Sequence, residues 1–150
     1  MKIAISYDHG GFDIKDDIIK TIQELGHEVI NFGPNTNDSV DYPDFIYPCA
    51  KAVAHDEVDL GIIICGTGIG ASIVANKVRG IRCALVNSVE VAELTREHNN
   101  SNVLALAGRT TDLETNIAIV KAWLSTPFSD DERHIKRIRK ISEIEQEEGR

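Results

Sequence analysis

Short apolar runs and helical-period stretches alternate along the whole of this chain. Residues 2–6, KIAIS, are a brief β-branched run that reads as a strand. In 11–26, GFDIKDDIIKTIQELG, Ile14, Ile18, Ile22 and Leu25 recur at helical spacing, and Gly26 stands where a helix-ending glycine belongs. HEVINFG (27–33) is a second strand. DYPDFIYPCAKAVAHDE (41–57) reads as a helix, with Pro43 tolerable in its first turn and Pro48 an obstacle inside it. VDLGIIIC (58–65) is a third strand, and its nearly unbroken apolar run implies burial on both faces. Then come a helix in 71–80, a strand in IRCALV (81–86), a helix in SVEVAELTREHN (88–99), a strand in NVLALAG (102–108) and a helix in 113–125. A last helix starts at Ser129, where Ser129 and Glu132 form an S-x-x-E capping box, and carries a stripe of Ile135, Ile138 and Ile141. The acidic tail from 143 onward is expected to fray.

Five strands separated by helices predict one α/β domain over 1–150, a doubly wound, Rossmann- or flavodoxin-like parallel sheet with helices on both faces and an extra C-terminal helix. The expected strand order is 2-1-3-4-5. Its switch point lies between the first and third strands, where ligands bind beyond the strand C-termini. The loops at that place are YDHGG (7–11) and CGTGIG (65–70), the two most unusual in the chain.

Composition narrows the classes. A net charge of −8 argues against a general nucleic-acid binder. No apolar run approaches the ~20 residues of a membrane span, and the N-terminus reaches Asp8 and a glycine pair too early for a signal peptide. Cys49, Cys65 and Cys83 are odd in number and widely spaced, so neither a zinc ribbon nor a disulfide framework is indicated, and a cytoplasmic setting is expected.

Gly66, Gly68 and Gly70 let backbone N–H groups approach a ligand at a helix start, where anions are favoured. The spacing matches neither the Walker A loop nor the dinucleotide fingerprint. A tight turn without a ligand is the plain alternative. Cys65 gains from the same geometry as a nucleophile or base, or is one more buried apolar residue ending a strand. Asp8 and His9 can hold a sugar hydroxyl, shuttle protons or bind a metal, or else cap a helix. His98 and Asn99 read plainly as a polar helix end, Cys49 and Cys83 as core, and His27 and His55 have no assigned role. In ERHIKRIRK (132–140), Arg133 and Arg137 share a helical face. Bases in the first half of this helix and acids in the last oppose its dipole, an order that a bound phosphate would explain.

Taken together, DHGG, ICGTGIG…ANKV.GIR, REHN and the late RH..R resemble the ribose 5-phosphate isomerase B family, which includes the galactose 6-phosphate isomerase subunits. The resemblance runs to about Glu145. It implies a metal-free, cofactor-free aldose–ketose isomerase of a small sugar phosphate, with no nucleic-acid or membrane partner. It also implies a homodimer, or a dimer of dimers, with active sites shared between subunits. On the matching positions, the base is Cys65, the ring-opening acid is His98 helped by Asp8, and Thr67 stands with them. The anion hole is Gly66, Gly68, Ile69, Gly70 and Asn99, and the phosphate ligands are His9, Arg109, Arg133 and Arg137, with His134 in the same motif. Some members carry a glutamate where this chain has Ala71, and many have GGRH where it has DERH. The galactose enzyme divides the cysteine and the RH..R between two subunits, so both in one chain favour ribose 5-phosphate. A six-carbon sugar phosphate, a non-catalytic sugar-phosphate binder and a metal-dependent isomerase are the competing readings.

Overall fold

The computed structural model describes residues 1–149. Five strands, β1 (Lys2–Tyr7), β2 (Glu28–Asn31), β3 (Leu60–Cys65), β4 (Cys83–Leu85) and β5 (Val103–Ala107), alternate with helices α1 (Lys15–Glu24), α2 (Tyr42–Ala54), α3 (Ile69–Ala75), α4 (Val89–Asn99) and α5 (Leu113–Ser125). Helix α6 (Glu132–Glu147) ends the chain.

All pairings are parallel, and the sheet order is β2-β1-β3-β5-β4. The expected order 2-1-3-4-5 is therefore wrong at one edge, where β5 lies between β3 and β4. Burial explains the exchange. Every residue of β5 is fully buried, as a central strand requires, whereas the three residues of β4 are only partly covered. The switch point between β1 and β3 is unaffected.

Period-2 alternation sends the sheet's side chains to two cores. Ile3, Ile5, Ile62, Ile64, Leu104 and Leu106 pack with Ile18 and Ile22 of α1 and Ile119 and Trp123 of α5. Ala4, Ile63, Cys65, Val103 and Ala105 pack with Ile46 and Cys49 of α2 and Ala71 and Ala75 of α3. Small residues on this second face let α2 and α3 approach closely.

Three local expectations are corrected. Helix α3 stops at Ala75, because the Asn76 amide turns away to bond both the N–H and the C=O of Cys83, at 2.8 and 3.0 Å. The cap of α6 is Asp131 rather than Ser129: its Oδ1 accepts from Arg133 N at 2.8 Å, and that N–H bond holds the carboxyl below its usual pKa. The Ser129 hydroxyl is instead bonded to His134 Nδ1 at 2.9 Å. The acidic tail remains helical through Glu147, and Glu145 Oε2 accepts from Gly80 N at 2.8 Å, tying that end to the body.

Helix α6 otherwise leans on the body mainly through α4. It leaves Ile135, Ile141 and Ile144 exposed, and Ile69 and Ile73 of α3 are exposed as well.

Candidate active site

Three strand-end loops meet at the C-terminal edge of the sheet. Gly10 N–H donates to Asp8 Oδ1 at 2.7 Å, closing the β1 loop on itself. Gly108 N–H donates to Cys65 O at 2.8 Å, and Arg109 N–H to Gly66 O at 2.9 Å, tying the β5 loop to the β3 loop. The packing is backbone on backbone. A Cβ on Gly10 would lie 2.6 Å from Gly66 N, and one on Gly108 would strike Gly10 O. Side chains are excluded so that the three loops can converge. The sequence pattern did not single out Gly10 or Gly108 for this, because the contact joins segments far apart along the chain.

Cys65 ends β3 at this convergence and is 5% exposed. Gly68 follows in the left-handed region, at φ +78°, which glycine adopts without strain, and starts α3. Ile69 N–H turns back to the Thr67 hydroxyl at 3.3 Å. Asp8 is buried beside the loop, while half-buried His9 accepts a long 3.4 Å bond from Val40 N–H on Nδ1. The Arg109 side chain runs over Gly66, with Cδ 3.7 Å from where a Cβ would stand. Tyr42 of α2 lies against Gly70, where a Cβ would come within 2.6 Å of the phenol Cζ. Nothing in the local sequence marks Tyr42. Ala71 is fully buried, so no carboxylate stands at that position.

Thus Asp8, His9, Cys65, the 66–70 loop and Arg109 are brought together. The remaining candidates are not with them. Helix α4 runs back along the sheet, so His98 and Asn99 lie at the opposite edge, just before β5 begins. Arg82 Nε donates to Asn99 O at 2.9 Å, and Asn102, next to them, bonds through its backbone to Arg82 and Gly61 at 3.0 Å. Gly61 pairs with Val103 and Cys65 with Ala107. The intervening strand amounts to about 13 Å at ~3.3 Å per residue. His134 of α6 is buried against His98, ring centroids 4.4 Å apart, and carries Arg133 to the same edge. Exposed Arg133 and Arg137 line one groove of α6 with Lys136 and Lys140. Asp8 and His9 therefore cannot meet His98 within one chain. Among the described residues no group of three or more His, Cys, Asp or Glu is placed to hold a metal ion, and no helix is long and apolar enough to cross a membrane.

The three cysteines are free. Burial pushes the thiols of Cys49, inside the α2 packing, and of Cys83, at the sheet edge, up to about 12. Both stay protonated at neutral pH, which agrees with their reading as core.

Comparison with known proteins agrees with this fold. The chain is 45% identical over 145 residues to the ribose-5-phosphate isomerase B of Escherichia coli, covering 97% of each. Among solved structures, the ribose-5-phosphate isomerase B of Clostridium thermocellum superposes with a TM-score of 0.95 at 48% identity, over 98% of this chain and 99% of that one. The enzyme of Mycoplasma genitalium, solved with bound ribulose-5-phosphate, gives 0.93 at 42% identity over 97% of each chain. Residues 3–141 match the family described as Ribose/Galactose Isomerase. A five-stranded parallel sheet, a glycine-lined cysteine at its switch point and a match over nearly the whole chain place this protein in the ribose/galactose isomerase family.

Proposed function

We propose that the protein interconverts ribose 5-phosphate and ribulose 5-phosphate by proton transfer through an enediolate, in sites shared between two copies of the chain. The observation that carries the reading is the loop geometry around Cys65. A thiol sits at the mouth of a glycine loop that opens α3, at the switch point of a parallel sheet, with Ala71 leaving no competing carboxylate.

In this reading His98, helped by Asp8, first opens the sugar ring by proton transfer at the ring oxygen. The Cys65 thiolate then takes the proton from C2, and the electron pair of that C–H bond forms the C1=C2 double bond as the aldehyde oxygen becomes an oxyanion. The N–H groups of the 66–70 loop and the Asn99 amide hold that oxygen, where donors lower the barrier most. The same proton returns to C1, the O2 proton passes to O1, and the ketose results. Thr67 stands by the reacting carbons as a further hydrogen-bonding group. His9 and Arg109 take the phosphate together with Arg133, His134 and Arg137.

The separation of the two residue clusters supports the shared site. One chain offers base and anion hole at one edge of its sheet, and acid and arginines at the other. A two-fold pair would bring the base of each chain to the acid of its partner, closing two equal sites. The exposed isoleucines of α3 and α6 fit such an interface. Three free cysteines fit a reducing compartment such as the cytoplasm.

Initial rates of the purified protein on ribose, allose and galactose phosphates, with and without EDTA, test the proposal. Fastest turnover of ribose 5-phosphate, unchanged by EDTA, is expected. Faster turnover of a six-carbon substrate would move the assignment. Binding of all three without turnover would contradict an enzyme altogether, and loss in EDTA restored by a divalent metal would contradict the thiolate-only chemistry.

A further inference from the structure

Asn99 closes α4 with an exposed carboxamide that has two opposite poles. Only the Nδ2 pole can donate to an enediolate oxygen, and the Oδ1 pole would repel it. The torsion between the two orientations is soft and roughly two-fold, so some neighbour must choose. Thr95, one helical turn earlier and 6% exposed, donates its hydroxyl to Asn99 Oδ1 at 3.2 Å. Residues four apart share one face of a helix, and burial leaves the Thr95 side chain little room to turn, so the hydroxyl is held in place before any ligand arrives.

The surrounding main chain is already fixed. Arg82 Nε donates to Asn99 O and its NH2 to Asn100 O, both at 2.9 Å, while Arg96 NH1 donates to Asn100 Oδ1 at 3.0 Å. With the main chain held by Arg82 and the neighbouring Asn100 side chain held by Arg96, the turn of the Asn99 amide is the chief freedom left at this helix end. We infer that Thr95 is a positioning residue for the isomerase reaction: its hydroxyl holds Asn99 Oδ1 inward, so that the Nδ2 hydrogens face the developing oxyanion. The inference rests on the reading of Asn99 as a donor to the enediolate. It goes beyond that reading by naming the group that selects the working orientation.

Thr95→Val keeps the branched shape and removes the donor, whereas Thr95→Ser keeps the donor. Measured as initial rates on ribose 5-phosphate, Thr95→Val should lower kcat about 3- to 10-fold, the worth of one neutral hydrogen bond. KM and the thermal melt should move little, since ground-state binding and packing are retained. Thr95→Ser should return kcat to within about twofold of wild type. Asn99→Ala should lower kcat about 10²-fold, and Thr95→Val added to it should cost nothing more, because its only target is gone. An equal further loss in the Asn99→Ala background would overturn the inference, as would a serine variant no better than the valine. If Asn99→Ala is crippled while Thr95→Val is normal, the role of Thr95 alone is wrong. If Asn99→Ala itself retains wild-type kcat, the donor reading of Asn99 fails first and takes the inference with it.

Discussion

Gly10→Ala is a one-methyl probe of the loop convergence. The added Cβ would lie 2.6 Å from Gly66 N, 2.9 Å from Gly66 Cα and 3.0 Å from Asp8 Oδ1. Ordinary contact begins at 3.4 Å, so the two loops must part by about 0.8 Å. Neither Gly66 atom is the end of a flexible side chain that could swing away. Overpacking of this kind costs about 1–3 kcal/mol, or a fall in Tm of about 2–12 °C for a chain of this length. The fold therefore survives at 25 °C. The rate should not, because a displacement near 1 Å between base and anion hole is worth about 10²-fold. Gly26→Ala is the control. Gly26 has φ +90° and no neighbour within 4 Å, so alanine there brings backbone strain without a clash. It should lose a comparable ~1–2 kcal/mol with kcat/KM unchanged. Thermal melts and initial rates on both variants decide the matter. A Gly10→Ala enzyme with wild-type kcat/KM, or a Gly26→Ala enzyme with an equal loss of rate, would refute the reasoning.

Cys65→Ala should lower kcat by at least about 10²-fold, the usual worth of a general base, since Ala71 offers no substitute; retention of more than roughly a tenth of wild-type kcat would rule out Cys65 as the base. Alkylation that inactivates should map to Cys65 and be blocked by substrate, because Cys49 and Cys83, with thiols pushed up to about 12, carry almost no thiolate at pH 8; peptide mapping that found Cys49 or Cys83 instead would count against this. Arg137→Ala should lower kcat/KM for ribose 5-phosphate about 10- to 100-fold through one lost charge-assisted contact while hardly changing the poor turnover of unphosphorylated ribose, and equal effects on both sugars would make the basic face of α6 an ordinary solvated one.

Much of this architecture was legible in the chain because burial on two faces leaves a direct record. The run at 62–64 can only be a central strand, and the alternation of such runs with helical stretches fixes a parallel sheet. The order of β4 and β5 was not so plain. Both runs are apolar, and only the structure reveals that all of Val103–Ala107 is enclosed while Cys83–Leu85 borders solvent. Capping at Ser129 misled because Asp131 competes for the same role and His134 takes the serine hydroxyl, a contact five residues away that spacing rules do not contain. Gly108, Tyr42 and Thr95 gave no signal, and the DHGG run marked the loop of Gly10 but not its contact with Gly66, since each matters through a neighbour brought close only by folding or by one turn of helix. The division of the site was implicit from the start. A helix following a parallel strand returns to the other edge of the sheet, so Cys65 at the end of β3 and His98 at the end of α4 had to part.

That division leads to the most direct test of the account. Cys65→Ala and His98→Ala chains, each inactive alone, should be unfolded together, refolded as a mixture and assayed on ribose 5-phosphate. In a two-fold dimer with shared sites, every mixed dimer joins an intact Cys65 to an intact His98 in one of its two sites. Random pairing makes about half the dimers mixed, so about a quarter of wild-type activity should return. If each chain completed its own site, every site in the mixture would lack one group, and the activity would stay at the level of the separate variants.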